Sequence, residues 1–216
     1  MIDMSYFVIA AIVIIGYLLG SINSSLIVGK FYGVDVRQHG SGNAGATNTL
    51  RTLGKKAAIF TTIGDFLKGI IACLAGSLLA NLVGISGFTN SVGLMLCGAC
   101  CVIGHNWPVF FGFKGGKGVL TSFAVLIMMA PFPALIAFTF FIIVVLITRY
   151  ISLGSMLSAA FLVIIGFFFG DKLGVENPVV YASFTAVLAA ILIFRHRGNI
   201  KRIINGTESK FSLKHK

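Results

Sequence analysis

Long apolar runs leave this chain of 216 residues few folds to adopt. Seven such stretches can be drawn, at about Met4 to Gly29, Lys56 to Val83, Asn90 to Phe111, Val119 to Ala130, Phe132 to Thr148, Leu153 to Gly170 and Pro178 to Phe194. A helix needs about 20 apolar residues to cross a bilayer, because lipid offers no partner for an open backbone. The fourth stretch is short, and Pro131 and Pro133 crowd the turn after it, so a tilted or partial crossing is expected there. Only 11% of residues are charged, where soluble domains carry roughly a quarter. The expected fold is an all-α integral membrane protein with seven transmembrane helices. It forms one domain over residues 1–216, because short connections leave no room for a separate soluble one. The opening MIDMSYFVIAAIVIIGYLLGSINSSLIVG has no basic leader and no small-x-small cleavage site. It reads as a retained first helix.

Charge then gives sidedness. With the N-terminus outside, all of the 17 basic residues except Lys68 and Lys172 fall on one side. They sit in the loop with Lys30, Arg37, Arg51, Lys55 and Lys56, beside Lys114 and Lys117, at Arg149, and in the tail from Arg195 to Lys216. The positive-inside rule makes that side cytoplasmic, so the N-terminus is expected outside and the C-terminus inside. Every polar or glycine-rich motif lies on the same face.

The first motif is HGSGNAGATNTLR, His39 to Arg51. Gly40, Gly42 and Gly45 free the backbone for positive φ and for close approach to a ligand, and Ser41, Asn43, Thr47, Asn48 and Thr49 supply short hydrogen-bonding groups. With Arg51, such a stretch can turn several N–H groups toward one anion. A flexible surface loop is the alternative. The second motif is GDFLKG, where Asp65 and Lys68 share a helix face within an apolar span. They read as a structural pair that positions the loop, or Lys68 contacts a ligand directly.

The third motif, GHNWPVFFGFKGGKG, is not a nucleotide loop. Only three residues separate Gly112 from Gly116, and Gly118 follows Lys117 where Ser or Thr would be required. Flexible amides at Gly115 and Gly116, the Lys117 charge and a helix starting at Val119 still suit a phosphate. His105 reads either as a satisfied helix-end residue or as a catalytic one, and Trp107 as an interface anchor. TRYISLGS places Ser152 and Ser155 three apart, where either could bond a neighbouring helix. RHRGNIKRIINGTE sets His196 and Asn199 three apart, and histidine is the usual general base near neutral pH. The CxxC spacing of Cys97 and Cys100 lies among apolar residues with Cys73 and Cys101, so these read as small hydrophobes. Asp35, Asp65 and Glu208 are too scattered for a metal site, and no cofactor is expected.

Taken in order, GSGNAGATN, GDFLKG, GHNWPVFFGFKGGKG and HRGNIKRIINGTE resemble the bacterial acyl-phosphate:glycerol-3-phosphate acyltransferase family. The resemblance spans nearly the whole chain. It implies transfer of a fatty acyl group from acyl-phosphate to the 1-hydroxyl of sn-glycerol 3-phosphate, giving lysophosphatidic acid and phosphate. It also implies a multi-pass enzyme of the bacterial inner membrane whose site faces the cytoplasm, supplied by a soluble acyl-phosphate-forming enzyme, with no nucleic-acid partner. Roles follow for Ser41, Asn43, Arg51, Lys117, His196 and Asn199, and for Ser155 from a short motif.

The residues agree with this chemistry. Two phosphate-bearing substrates give two phosphate loops a reason to exist. One phosphate falls to the opening loop with Ser41, Gly42, Asn43, Gly45, Asn48 and Arg51, and the other to Gly115, Gly116 and Lys117; which takes which is open. His196 and Asn199 orient the glycerol hydroxyl, and either His196 or a substrate phosphate oxygen takes its proton. The net charge of +11 attracts such anions and anionic lipid alike. An anion transporter is the rival, against which stand the one-sided motifs and the lack of an internal repeat. A lipid-binding structural protein is a third reading.

Overall fold

The computed structural model describes residues 4–83 and 90–211, among which ten α-helices and no strands occur. Met1 to Asp3, and the tail residues Lys214 and Lys216 that enter the charge count, lie outside the described residues. The chain forms two compact units, Met1–Met129 and Ala130–Lys216.

The first unit holds α1 (Met4–Ser21), α2 (Ser24–Phe31), α3 (Ala46–Leu53), α4 (Lys55–Val83), α5 (Asn90–Asn106) and α6 (Val119–Met129). The first apolar stretch is therefore not one helix. It breaks at Ile22 and Asn23, because the Asn23 side chain accepts the Leu26 N–H at 3.1 Å and caps a new helix. Asparagine competes with the helical ladder in this way and favours caps over interiors.

Small residues bring α1, α4 and α5 together. A Cβ on Gly16 would run into the Cys97 carbonyl, and one on Gly20 into the Cys101 carbonyl. Gly76 of α4 and Gly93 of α5 meet in the same way. Helices in lipid gain little from apolar burial against each other, so close backbone approach over small residues drives their association. Cys97 and Cys101 fill the seam with Ile12 and Ala72, all fully buried.

The second unit holds α7 (Pro131–Thr148), α8 (Ile151–Phe169), α9 (Pro178–Arg195) and α10 (Arg197–Ile204). Gly154 of α8 packs on Phe141 and Val145 of α7, and Gly166 packs on Tyr181 of α9. Asn177 caps α9, with Pro178 in the first turn where its missing N–H costs nothing.

Six segments among the described residues are long and apolar enough to cross a membrane, counting α1 and α2 together as Tyr6–Phe31. The fourth of the seven expected crossings is α6, which has only 11 residues. At 1.5 Å per residue it reaches about 16 Å, roughly half of a hydrocarbon core. Gly20→Leu is expected to force α1 away from the Cys101 carbonyl and cost about 1–3 kcal/mol, as overpacking does. A lowered melting temperature in detergent checks this.

Candidate active site

In the first unit the break between α1 and α2 sets the geometry. It leaves the carbonyls of Gly20 and Ile22 without helical partners inside an apolar segment. The Lys68 ammonium of α4 donates to both, at 3.0 and 2.8 Å. It also lies 3.0 Å from Asp65 Oδ1 and meets His105 Nδ1 at 2.9 Å. The side chains of Lys68, Asp65 and His105 are 6, 2 and 5% exposed. Asp65 Oδ1 further accepts the Ser24 N–H at the start of α2, at 3.4 Å. The helical spacing thus yields the expected Asp65–Lys68 pair. Around that ammonium stand a carboxylate, an imidazole and two carbonyls, an environment suited to the positioning reading of Lys68 more than to ligand contact.

His105 carries the effect outward. Its carbonyl accepts the Gly116 N–H at 3.1 Å, which folds the GGKG loop back onto the end of α5. A Cβ on Gly116 would strike the His105 ring and stand 2.6 Å from the Ala44 carbonyl oxygen. Gly116 is a glycine because two neighbours crowd it, and Gly118 because its φ is +74°. The two glycine-rich loops therefore adjoin at Ala44, Gly116 and His105. Lys117 is half-buried beside this contact, and α6 begins two residues later.

The opening loop is organised by Asn48. Its Oδ1 accepts from the Ser41 N–H at 2.8 Å and from the Ser41 hydroxyl at 3.2 Å. Its Nδ2 donates to the carbonyls of Val36 and His39, at 2.8 and 3.1 Å. Gly40 and Gly42 have φ of +59° and +70°, as expected. Gly45 does not share the positive φ and is extended, at −165°. It is the N-cap of α3 and offers no side chain, so its lack of a Cβ serves the space beside Asn43 Nδ2. Arg51 is exposed in the last turn of α3.

In the second unit, His196 ends α9 and starts α10, with Nδ1 2.8 Å from the Leu192 carbonyl oxygen. Asn199 follows in the first turn of α10. Glu208, which the sequence reading set aside as one more scattered acid, joins this region. Its Oε1 accepts from Ser152 and from Asn199 Nδ2, both at 2.6 Å, and its Oε2 accepts from Arg202 Nε at 2.7 Å. Burial pushes the Glu208 carboxyl up, but hydrogen bonds from Ser152, Asn199 and Arg202 outweigh it and hold the group below its ordinary value. Ser155 turns to its own helix, donating to the Ile151 carbonyl at 2.9 Å, so Ser152 makes the bond to another element. The signal for Glu208 was a rare acid in a basic tail; Asn199 and Arg202 are close to it in sequence, but its third partner, Ser152, lies 56 residues away.

Two outcomes follow. Lys68→Met leaves the buried Asp65 carboxylate without its ammonium, with the His105 ring and the Ser24 N–H still beside it, and is expected to cost about 3–5 kcal/mol, part of which Asp65→Leu in the same chain restores. Melting curves of the single and double variants in detergent check this. Glu208 stabilises the fold at pH above the ordinary glutamate range, and this is lost as pH falls through its depressed folded value. Glu208→Gln is expected to melt lower at neutral pH and to lose less than the parent on acidification.

Comparison with known proteins is consistent with these motifs. Residues 10–206 match the family described as glycerol-3-phosphate acyltransferase. A glycerol-3-phosphate acyltransferase of Clostridioides difficile (strain 630) is 46% identical over 211 residues, covering 97% of each chain. Glycerol-3-phosphate acyltransferase 2 of Bacillus anthracis is 42% identical, over 91% of this chain and 96% of that one. The crystal structure of PlsY (YgiH), an integral membrane glycerol 3-phosphate acyltransferase, in its glycerol 3-phosphate form superposes with a TM-score of 0.80 at 39% identity. The match covers 94% of this chain and 96% of that one. With such coverage in sequence and fold, this chain belongs to the glycerol-3-phosphate acyltransferase family and is an integral membrane acyltransferase of phospholipid synthesis.

Proposed function

We propose that this protein transfers a fatty acyl group from acyl-phosphate to the 1-hydroxyl of sn-glycerol 3-phosphate, releasing lysophosphatidic acid and inorganic phosphate. The observation that carries the reading is the junction of two glycine-rich loops at Ala44, Gly116 and His105. Both substrates carry a phosphate, and two adjoining loops with Arg51 and Lys117 beside them suit two anions. The relatives' shared name, and PlsY structures in glycerol 3-phosphate and lysophosphatidic acid forms, support the acceptor and the product.

The glycerol hydroxyl oxygen attacks the acyl carbonyl carbon, and the bond from that carbon to the phosphate oxygen breaks. Phosphate leaves, and the hydroxyl proton passes to His196 or to the phosphate itself. Ser41, Gly42, Asn43, Gly45, Asn48 and Arg51 hold one phosphate, and Gly115, Gly116 and Lys117 the other. Gly45 leaves the first-turn amides of α3 without a side-chain cap, which suits an anion there. Backbone amides also stabilise the oxyanion that develops on the acyl carbonyl. His196 and Asn199 act on the hydroxyl, with Ser155 in the same motif set. We place the protein in the bacterial inner membrane with the N-terminus outside and these loops facing the cytoplasm, from the distribution of lysine and arginine. A soluble acyl-phosphate-forming enzyme supplies the donor.

Purified protein in detergent, given acyl-phosphate and glycerol 3-phosphate, is expected to release phosphate and lysophosphatidic acid in equal amounts. Lys117→Ala is expected to lower the rate about 100-fold, the scale of a lost donor to developing charge. His196→Ala retaining most activity would remove histidine as the base and leave the phosphate oxygen. No phosphate release, together with anion uptake into sealed vesicles, would overturn acyl transfer altogether.

A further inference from the structure

We propose that Arg37 is a positioning residue that clamps the two glycine-rich loops together, held in place by Asp35. The proposal rests on the acyl-transfer reading above for its kinetic consequence, but its geometry stands by itself.

The segment from Asp35 to Gln38 lies between the loops and is tied to each. Asp35 caps the 3-10 turn Val36–Gln38 by accepting the Arg37 N–H at 2.9 Å. The same carboxylate takes the Arg37 side chain as a fork, with Nη2 to Oδ2 at 2.7 Å and Nε to Oδ1 at 3.0 Å. The hydrogen-bonded guanidinium holds the Asp35 carboxyl below its ordinary value. That fixed fork leaves Nη1 pointing at the second loop, where it donates to the carbonyls of Phe111 at 2.9 Å and Lys114 at 3.4 Å.

On its other side the segment belongs to the first loop, through the bond from Asn48 Nδ2 to the Val36 carbonyl. Val36 is fully buried with Leu26 and Ala44, and the Phe111 ring packs on that cluster. Phe111 is thus held twice, by its carbonyl and by its ring. Three residues beyond Lys114 stands Lys117, so the Lys114 carbonyl fixes one end of the GGKG turn while His105 fixes Gly116.

The chemistry requires arginine. One planar group must meet a carboxylate with two donors and two carbonyls with a third. Lysine can meet one set or the other, since its ammonium is a single point.

The test compares Arg37→Ala and Arg37→Lys with the parent in steady-state acyl transfer, and follows hydrogen exchange of residues 109–118 without substrate. In Arg37→Ala, KM for at least one phosphate substrate is expected to rise about tenfold with little change in kcat, because a loop that samples other positions loses bound geometry first. Exchange at the Phe113 and Gly116 amides is expected to quicken, with the melting temperature close to that of the parent. Arg37→Lys is expected to stay impaired. Parental KM values with parental exchange would overturn the clamp. So would full recovery by lysine, or a general fall in melting temperature with kcat and kcat/KM reduced alike. Failure of the acyl-transfer reading looks different, as an inactive parent whose exchange still differs from that of Arg37→Ala.

Discussion

One buried ammonium organises the first unit. A helix interrupted inside an apolar segment leaves carbonyls that lipid cannot satisfy, at a cost of several kcal/mol for each. Here Lys68 reaches across from α4 and fills the gap between α1 and α2 at Gly20 and Ile22. A lone ammonium at that depth would be equally costly, and Asp65 offsets it three residues away on the same helix. His105 completes the ring of partners and passes the geometry to Gly116 through its own carbonyl. A broken helix with a lysine against it resembles an ion pathway of a transporter. In this chain both freed carbonyls already accept from Lys68, so the break serves to place α2 and the loop that follows it.

Much of this was legible in the sequence because it depends on local spacing. Apolar runs gave the helices, including the short α6, since length and composition decide what lipid accepts. The Asp65–Lys68 pair followed from helical periodicity, and Gly40 and Gly42 from the need for positive φ. What escaped was fixed by distance in space. The break at Asn23 falls in a small polar cluster, Ser21, Asn23, Ser24 and Ser25, inside an apolar run, and short polar side chains occur within membrane helices as well as at caps, so composition alone does not mark the break. The extended Gly45, the crowding at Gly116 and the turn of Ser155 to its own helix all depend on neighbours that sequence does not name. Arg37 looked like one more cytoplasmic charge until its carboxylate and carbonyl partners were in place.

Acidic residues are scarce here, six against 17 basic ones, and three of them sit where a cation must be aimed. Asp35 aims Arg37, Asp65 holds Lys68, and Glu208 gathers Arg202 with Ser152 and Asn199. Paired in this way, a long flexible side chain becomes a fixed strut, at the entropic cost of its rotamers. The surplus of positive charge still gives the molecule the field that attracts anionic substrates and lipid.

The same bonding pattern bears on how an acyl group could pass through the protein. A covalent route needs a nucleophile beside a base that can accept its proton. Cys97 and Cys101 are buried in helix seams against Gly16 and Gly20. The Ser41 hydroxyl faces the Asn48 amide oxygen, and Ser155 faces a backbone carbonyl, neither of which can serve as a base. Ser152 does meet a carboxylate, but Asn199 and Arg202 share Glu208 and hold it ionised, which lowers its basicity. In the proposed reaction acyl-phosphate would bring its own activation and its own leaving group, so loops suited to phosphates and to a developing oxyanion would supply what such a reaction lacks. Direct transfer between substrates is therefore the route these side chains favour.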